Sequence, residues 1–243
     1  MVLSRIRDMK LLLRFSLACC GIALASAHAL AARPFMTDDA RITTAGSCQL
    51  ESWTRRYQDR TENWALPACN PTGNFEITMG GGRFHGDGAP YSNDYVLQGK
   101  TLLRPLEIND WGWGVAAGVV RHPGLQPGPN QLGNHYVFLP LSVSTLDDRV
   151  VVHANLGWVR DRQTRRSSTT WGAGVEYWIH PRWMLIAETF GDDRQKPFFQ
   201  TGLRLSVIPG LLQIDATRGI QPNAVGQTSW MSFGLRYTPE RLF

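Results

Sequence analysis

The stretch Val150-Val151-Val152-His153-Ala154-Asn155-Leu156-Gly157-Trp158 alternates along almost its whole length. Val150, Val152, Ala154, Leu156 and Trp158 fall on one side, and His153, Asn155 and Gly157 on the other. A period of two is strand geometry, because successive side chains leave opposite faces of the pleat. The rhythm returns between Trp171 and Ile179, where odd positions are apolar while Gly172, Gly174 and Glu176 face away. Near the end, Met231, Phe233, Leu235 and Tyr237 oppose Ser232, Gly234 and Arg236.

Working outward, about twelve such runs can be counted, at residues 47–57, 62–69, 74–84, 94–104, 111–120, 134–145, 149–160, 170–179, 182–191, 198–208, 211–218 and 228–237. A tilted strand needs about 9–11 residues to cross a bilayer, a length most of these runs reach. The connections sort into short ones, at 69–73, 105–110, 147–148, 180–181 and 209–210, and longer polar ones, at 85–93, 121–133, 161–169, 192–197 and 219–227. Apart from the modest first link at 58–61, the two kinds alternate, as short periplasmic turns and longer outer loops do in outer-membrane barrels. Both ends of the strand region then fall on the periplasmic side.

A soluble β-sandwich or lipocalin-like barrel alternates too, with its apolar face turned inward. Three features decide for the opposite sense. The apolar face is rich in aromatics near strand ends, including Trp111, Trp113, Trp158, Trp171, Trp183 and Tyr237, like an interfacial girdle. The other face carries charges in mid-strand, which a packed core rarely tolerates unpaired. The last residue, Phe243, is an aromatic C-terminus of the kind that barrel-assembly machinery reads. The fold expected is all-β, a closed antiparallel transmembrane β-barrel of about twelve strands within residues 47–243. Arg241 and Pro239 break the terminal alternation, so either the last strand stops at Tyr237 with a short tail or the assembly signal is imperfect.

Residues 1–31 read as a secretory signal peptide: Arg5, Arg7, Lys10 and Arg14, an apolar middle from Phe15 to Leu24, and a small-residue exit ending in Ala31. Residues 32–46 then form an N-terminal periplasmic or plug segment. The formal charge of +5 is mostly the leader's, and its removal leaves 21 basic against 19 acidic residues. Such a balance gives no electrostatic case for nucleic acid. Nothing in the spacing of cysteines, histidines or glycines calls for a metal or a cofactor.

The polar residues expected to face the lumen are Glu76, Lys100, Arg104, His153, Glu176, Glu188, Arg204, Asp215 and Arg236. Apart from His153 they carry four charges of each sign, which suggests internal pairs rather than the one-sign ring of a strongly ion-selective pore. Gly112, Gly114, Ala116 and Gly118 line one inner strand face and Gly172 and Gly174 another; their missing side chains leave either a passage or room for Tyr136, Phe138 and Trp178. A barrel lipid hydrolase would need a nucleophile within reach of a histidine, and His153 with Ser142 or Ser144 is the one pair of interest. Parity puts all three inside, away from lipid, while His85, His122 and His135 lack a nucleophile motif nearby. The chain is therefore not expected to be an enzyme. Asp38-Asp39 reads as a solvated turn, and Arg160, Arg162, Arg165 and Arg166 as a solvated loop that can also meet lipopolysaccharide phosphates.

The opening Arg33-Pro-Phe-Met-Thr-Asp-Asp-Ala-Arg-Ile42, followed by Gly46-Ser-Cys-Gln-Leu-Glu51, resembles that of proteobacterial outer-membrane proteins grouped as the MetA-pathway-of-phenol-degradation family. The likeness is sharp over about twenty residues and architectural elsewhere. It implies a barrel that passes small, aromatic or hydrophobic molecules, and it offers no catalytic residues. The function expected is an outer-membrane channel or uptake porin, with outer-membrane lipid, lipopolysaccharide, the barrel-assembly machinery and a small-molecule solute as partners. A non-transporting structural barrel is the alternative, and a barrel lipid hydrolase the remoter one.

Cys48 and Cys69 are the two cysteines beyond the leader, and an exported pair can oxidise in the periplasm. Pairing the first hairpin by equal distance from its loop sets Cys48 opposite Cys69 and Trp53 opposite Trp64, an aromatic cross-strand pair. Opposed residues lie about 4.5–5.5 Å apart at Cα, within a disulfide's reach. A closed loop of this size gives roughly 3 kcal/mol in the chain-entropy model. Alkylation of protein purified from the outer membrane without reductant should find no free thiol at either position, and two reactive thiols would sink both the bond and the register.

Overall fold

A strand in lipid has no water to satisfy its N–H and C=O groups, so a sheet there has to close on itself. The computed structural model describes residues 35–86, 91–121, 135–161, 164–222, 229–240 and 242–243. Its strands are β1 (Ser47–Arg56), β2 (Arg60–Asn70), β3 (Phe75–Gly86), β4 (Ser92–Arg104), β5 (Trp111–Arg121), β6 (His135–Thr145), β7 (Val150–Arg160), β8 (Ser167–His180), β9 (Trp183–Asp192), β10 (Phe198–Ile208), β11 (Leu212–Ile220) and β12 (Ser229–Tyr237). Each pairs antiparallel with its sequence neighbours, and β1 closes the barrel on β12 through pairs such as Leu50↔Tyr237 and Trp53↔Gly234. The expected strands are all present, with ends within about three residues of those read from the sequence. The expected leader, His122 and Arg162 lie outside the described residues.

The two faces sort as the alternation requires. Leu97, Leu103, Leu139, Val152, Leu156 and Phe233 project outward and are exposed, a belt that only lipid can cover. Trp111, Trp158, Trp183 and Tyr237 join that surface near strand ends. Polar and charged side chains are buried on the inner face. Crossing is by strands, and no helix among the described residues is long and apolar enough to span a membrane. A closed twelve-strand barrel with this belt is an outer-membrane protein.

The first hairpin has the expected register, Cys48↔Cys69 and Trp53↔Trp64, and the cysteines are bonded with their Cα atoms 4.0 Å apart. Cys48 shares the outward parity of Leu50, so the disulfide lies on the outer surface near the short-turn end. Trp53 is buried on the inside, and its ring stacks on Trp64 at 5.6 Å. The last strand stops at Tyr237, and the tail folds back so that the N–H groups of Leu242 and Phe243 donate to the Gly46 carbonyl. Of the two readings of the C-terminus, a short tail is the one observed.

Leu156 is 59% exposed at the middle of its strand. Leu156→Arg should cost roughly 2–4 kcal/mol if that side meets mid-bilayer lipid. Reversible urea unfolding in lipid vesicles measures it, and an unchanged midpoint would put this face inside.

Candidate functional site: a lumen occupied by residues 35–46

Residues 35–46 run up the inside of the barrel. At the short-turn end, Gly46 N–H donates to the Asn70 carbonyl at 2.9 Å. Thr43 donates through both its N–H and its Oγ1 to Glu76 Oε2, at 2.7 and 2.6 Å, and Asn70 Nδ2 donates to the Thr43 carbonyl at 2.6 Å. Ala40 N–H reaches Ser142 Oγ at 2.8 Å. Lys100 Nζ donates to Asp38 Oδ1 at 2.8 Å and to Asp39 Oδ1 at 3.3 Å. With its amide oriented by its neighbours, Asn155 bonds both the N–H and the C=O of Asp38. Higher up, the N–H groups of Met36 and Thr37 donate to the Glu188 carboxylate at 2.9–3.0 Å. Met36 then packs on Tyr57, Phe190, Phe198 and Trp230, a cluster at the loop ends of β1, β9, β10 and β12.

The wall is shaped for this segment. A Cβ on Gly172 would sit 2.5 Å from Thr37 Oγ1, and one on Gly174 2.8 Å from the Phe35 ring. These two glycines are the berth of the N-terminal segment, an occupant that neither reading of the sequence named. Gly118 instead makes room for the Tyr136 phenol, which donates to Gln98 Oε1 at 2.9 Å. A Cβ on Gly112 or Gly114 would meet the backbone of Leu106 or Thr101, so these two open no passage.

Eight of the nine residues read as lumen-facing are buried inside: Glu76, Lys100, His153, Glu176, Glu188, Arg204, Asp215 and Arg236. Arg104 is the correction. The β4–β5 register shifts between Leu102 and Arg104, and Arg104 comes out at the rim, 41% exposed, over the Trp111 ring and 2.6 Å from Asp110. The Trp111 N–H, followed by Arg104, holds the Asp110 carboxyl below its usual range. Asp38-Asp39 is a second correction: the pair is not a solvated turn, since Asp39 is 4% exposed and both carboxylates engage Lys100. The expected balance of wall charges is also modified. Glu176 and Arg204 pair along the wall, over β9, at 3.0 Å, but Glu76, Lys100 and Glu188 make contacts with the N-terminal segment.

Ser142 and His153 do come together, with Oγ and Nδ1 2.8 Å apart and Glu176 Oε2 3.7 Å from the far ring nitrogen. The trio resembles a hydrolytic arrangement in composition alone. Ser142 Oγ already accepts the Ala40 N–H, Glu176 is ion-paired with Arg204, and all three are buried. Ser144 bonds Asp148 in the β6–β7 turn. His85 stacks on Tyr91 at 4.5 Å.

Sequence reading missed Arg55, Arg60 and Glu62. Arg55 and Glu62 are cross-strand partners inside the first hairpin, 3.6 Å apart, with Arg60 also 3.6 Å from Glu62. Their parity with Trp53 was the signal, hidden because an inward Trp reads as a lipid-facing one. Beside them, burial pushes the Tyr57 phenol up to about 12. Beside the segment a cavity of about 130 Å³ remains, lined by Glu76, Gln98, Lys100, Phe138, His153 and Arg236 among others. Its apolar side belongs to a cluster of Trp53, Leu66, Val96, Val120 and Tyr136. Among the described residues no group of His, Cys, Asp and Glu is placed to hold a metal.

A family model described as "Uncharacterised conserved protein UCP029691" matches residues 20–237. No curated protein matches the chain in sequence. Among solved structures the chain is similar to the KdgM porin, with a TM-score of 0.59 at 8% identity over 79% of this chain and 99% of that one. It is also similar to the NanC porin, with a TM-score of 0.58 at 10% identity over 79% and 100%. A further KdgM structure, described as a complex with disordered oligogalacturonate, gives 0.58 at 8% identity over 79% and 99%. At such identities the likeness establishes the fold.

If Gly174 makes room for Phe35, Gly174→Leu should push the N-terminal segment out while leaving the barrel closed. Arg41, its side chain 10% exposed, should then pass from trypsin-resistant to cleaved in protein that still migrates as a folded barrel without boiling. Unchanged resistance would place Phe35 elsewhere.

Proposed function

The chain belongs to that uncharacterised family, and on this footing we propose that it is an outer-membrane channel for small solutes. The observation that carries the reading is the interior: a closed barrel whose inner wall is charged and hydrogen-bonding, with a cavity of mixed polar and apolar lining beside a short segment of its own chain. A structural barrel needs only an apolar belt, and its interior can be filled by interlocking side chains. Here part of the filling is an irregular segment without sheet pairing, held by side chains from β2, β3, β4, β6, β7 and β9. The porins that share the fold support the same direction.

The solute is small and carries an aromatic or apolar part. Support comes from the resemblance of residues 33–51 to the MetA-pathway-of-phenol-degradation family. It comes also from the stacked Trp53 and Trp64, with Phe84 edge-on to Trp64 at 5.4 Å, along the inner wall. At the loop end, Arg160, Arg165 and Arg166 suit lipopolysaccharide phosphates.

Purified protein in planar bilayers should give discrete conductance steps, and liposomes carrying it should admit a phenol-sized solute faster than a trisaccharide. Silence from wild type and Gly174→Leu alike would leave the structural barrel as the reading.

A further inference from the structure

The groups that hold residues 35–43 have second partners waiting on the wall. Glu76 and Lys100 are directly opposed in the β3–β4 ladder, on the same inner face. At present the first is taken by Thr43 and the second by Asp38 and Asp39. Met36 sits between Arg55, whose guanidinium reaches its sulfur at 3.5 Å, and Glu188, which accepts its N–H. Glu188 also accepts from Gln200 Nε2 at 2.9 Å, and Ser142 keeps His153. Withdrawal of the segment would therefore let Glu76 meet Lys100, while Glu188 would keep Gln200 and Asp148, losing Arg41, would keep Ser144. Each carboxylate retains a partner, which lowers the cost that normally locks buried ionic contacts in place. The carboxylates of Asp38 and Asp39 would pass to water.

The root of the segment is fixed. Gly46 is tied to Asn70 on one side and to Leu242 and Phe243 on the other, and the Cys48–Cys69 bond follows two residues later. Above that root the contacts are hydrogen bonds, ion pairs and two apolar berths, Met36 on the Tyr57 cluster and Phe35 against Met184 and Ile186, with no strand pairing. We propose that residues 35–43 are a reversible plug, and that exchange of Lys100 between Asp38–Asp39 and Glu76 sets whether the lumen is closed or open. This rests on the channel reading above.

Closed and open states then respond differently to substitution. Asp38→Asn with Asp39→Asn weakens the closed state alone, whereas Lys100→Gln removes a partner from both. The probe is Ala40→Cys, fully buried against Ser142, labelled with a charged water-soluble maleimide in reconstituted vesicles. Bonded Cys48 and Cys69 stay silent. The Asn pair should speed labelling about tenfold, the size expected for losing charge-assisted hydrogen bonds, and Lys100→Gln should give a smaller rise. Open time in planar bilayers should rise in the same order. Oxidised Thr37→Cys with Gly172→Cys should abolish openings until reductant is added, with reductant-treated wild type as control. Folding of each variant is checked by heat-dependent gel mobility. Equal labelling in all backgrounds, or a cross-linked protein that conducts like wild type, overturns the plug. Faster labelling with every membrane silent shows instead that the segment leaves a lumen that conducts nothing, which overturns the channel reading and the gate with it.

Discussion

Hydrocarbon offers no partner to a backbone N–H or C=O, and the rest of this molecule follows from that. The twelve strands have to form a ring, so β1 must find β12 although Leu50 and Tyr237 stand at opposite ends of the strand region. Once the ring faces lipid, apolar side chains such as Leu139 and Leu156 belong outside, and every polar side chain of the alternate set converges on the lumen. A soluble barrel would have the opposite arrangement. The electrostatic difficulty of this protein is therefore internal: a narrow space must satisfy Glu76, Lys100, Glu176, Glu188, Arg204 and others without bulk water.

The solution is only partly ionic. Glu176 and Arg204 pair directly, as do Arg55 and Glu62. Glu188 and Glu76 instead accept neutral main-chain N–H groups from residues 36, 37 and 43, so hydrogen bonds rather than direct ion pairs are their main contacts. The N-terminal segment thus stands in for solvent, and it contributes opposite charge at Lys100, through Asp38 and Asp39, and at Asp148, through Arg41. The same economy explains why Ser142, His153 and Glu176 lie together without an open reacting face.

Much of the barrel was legible because lipid enforces a strict rule on one face. Val152, Ala154 and Leu156 can have no other period, and the first hairpin's register followed from equal counting. The inner face obeys a looser rule, and there the reading weakened. Arg104 has inner parity, but a register shift and Asp110, six residues on, bring it to the rim. Asp38-Asp39 has the local look of a solvated turn, since its partner Lys100 lies some sixty residues away and leaves no mark in the neighbourhood. Gly172 and Gly174 announced missing volume, but only the folded chain shows that Thr37 and Phe35 fill it.

The Cys48–Cys69 bond has a consequence for the order of assembly. Eleven of the twelve strand pairings join sequence neighbours, whereas the β1–β12 seam joins segments almost the whole barrel apart and is the entropically dearest contact to form. A hairpin already tied by oxidation in the periplasm presents β1 in its final register, with one edge committed to β2 and the other vacant. The seam is then a docking of two prepared edges rather than a search by a loose strand. Its disulfide parity, facing outward, keeps the sulfurs clear of the lumen while that docking proceeds.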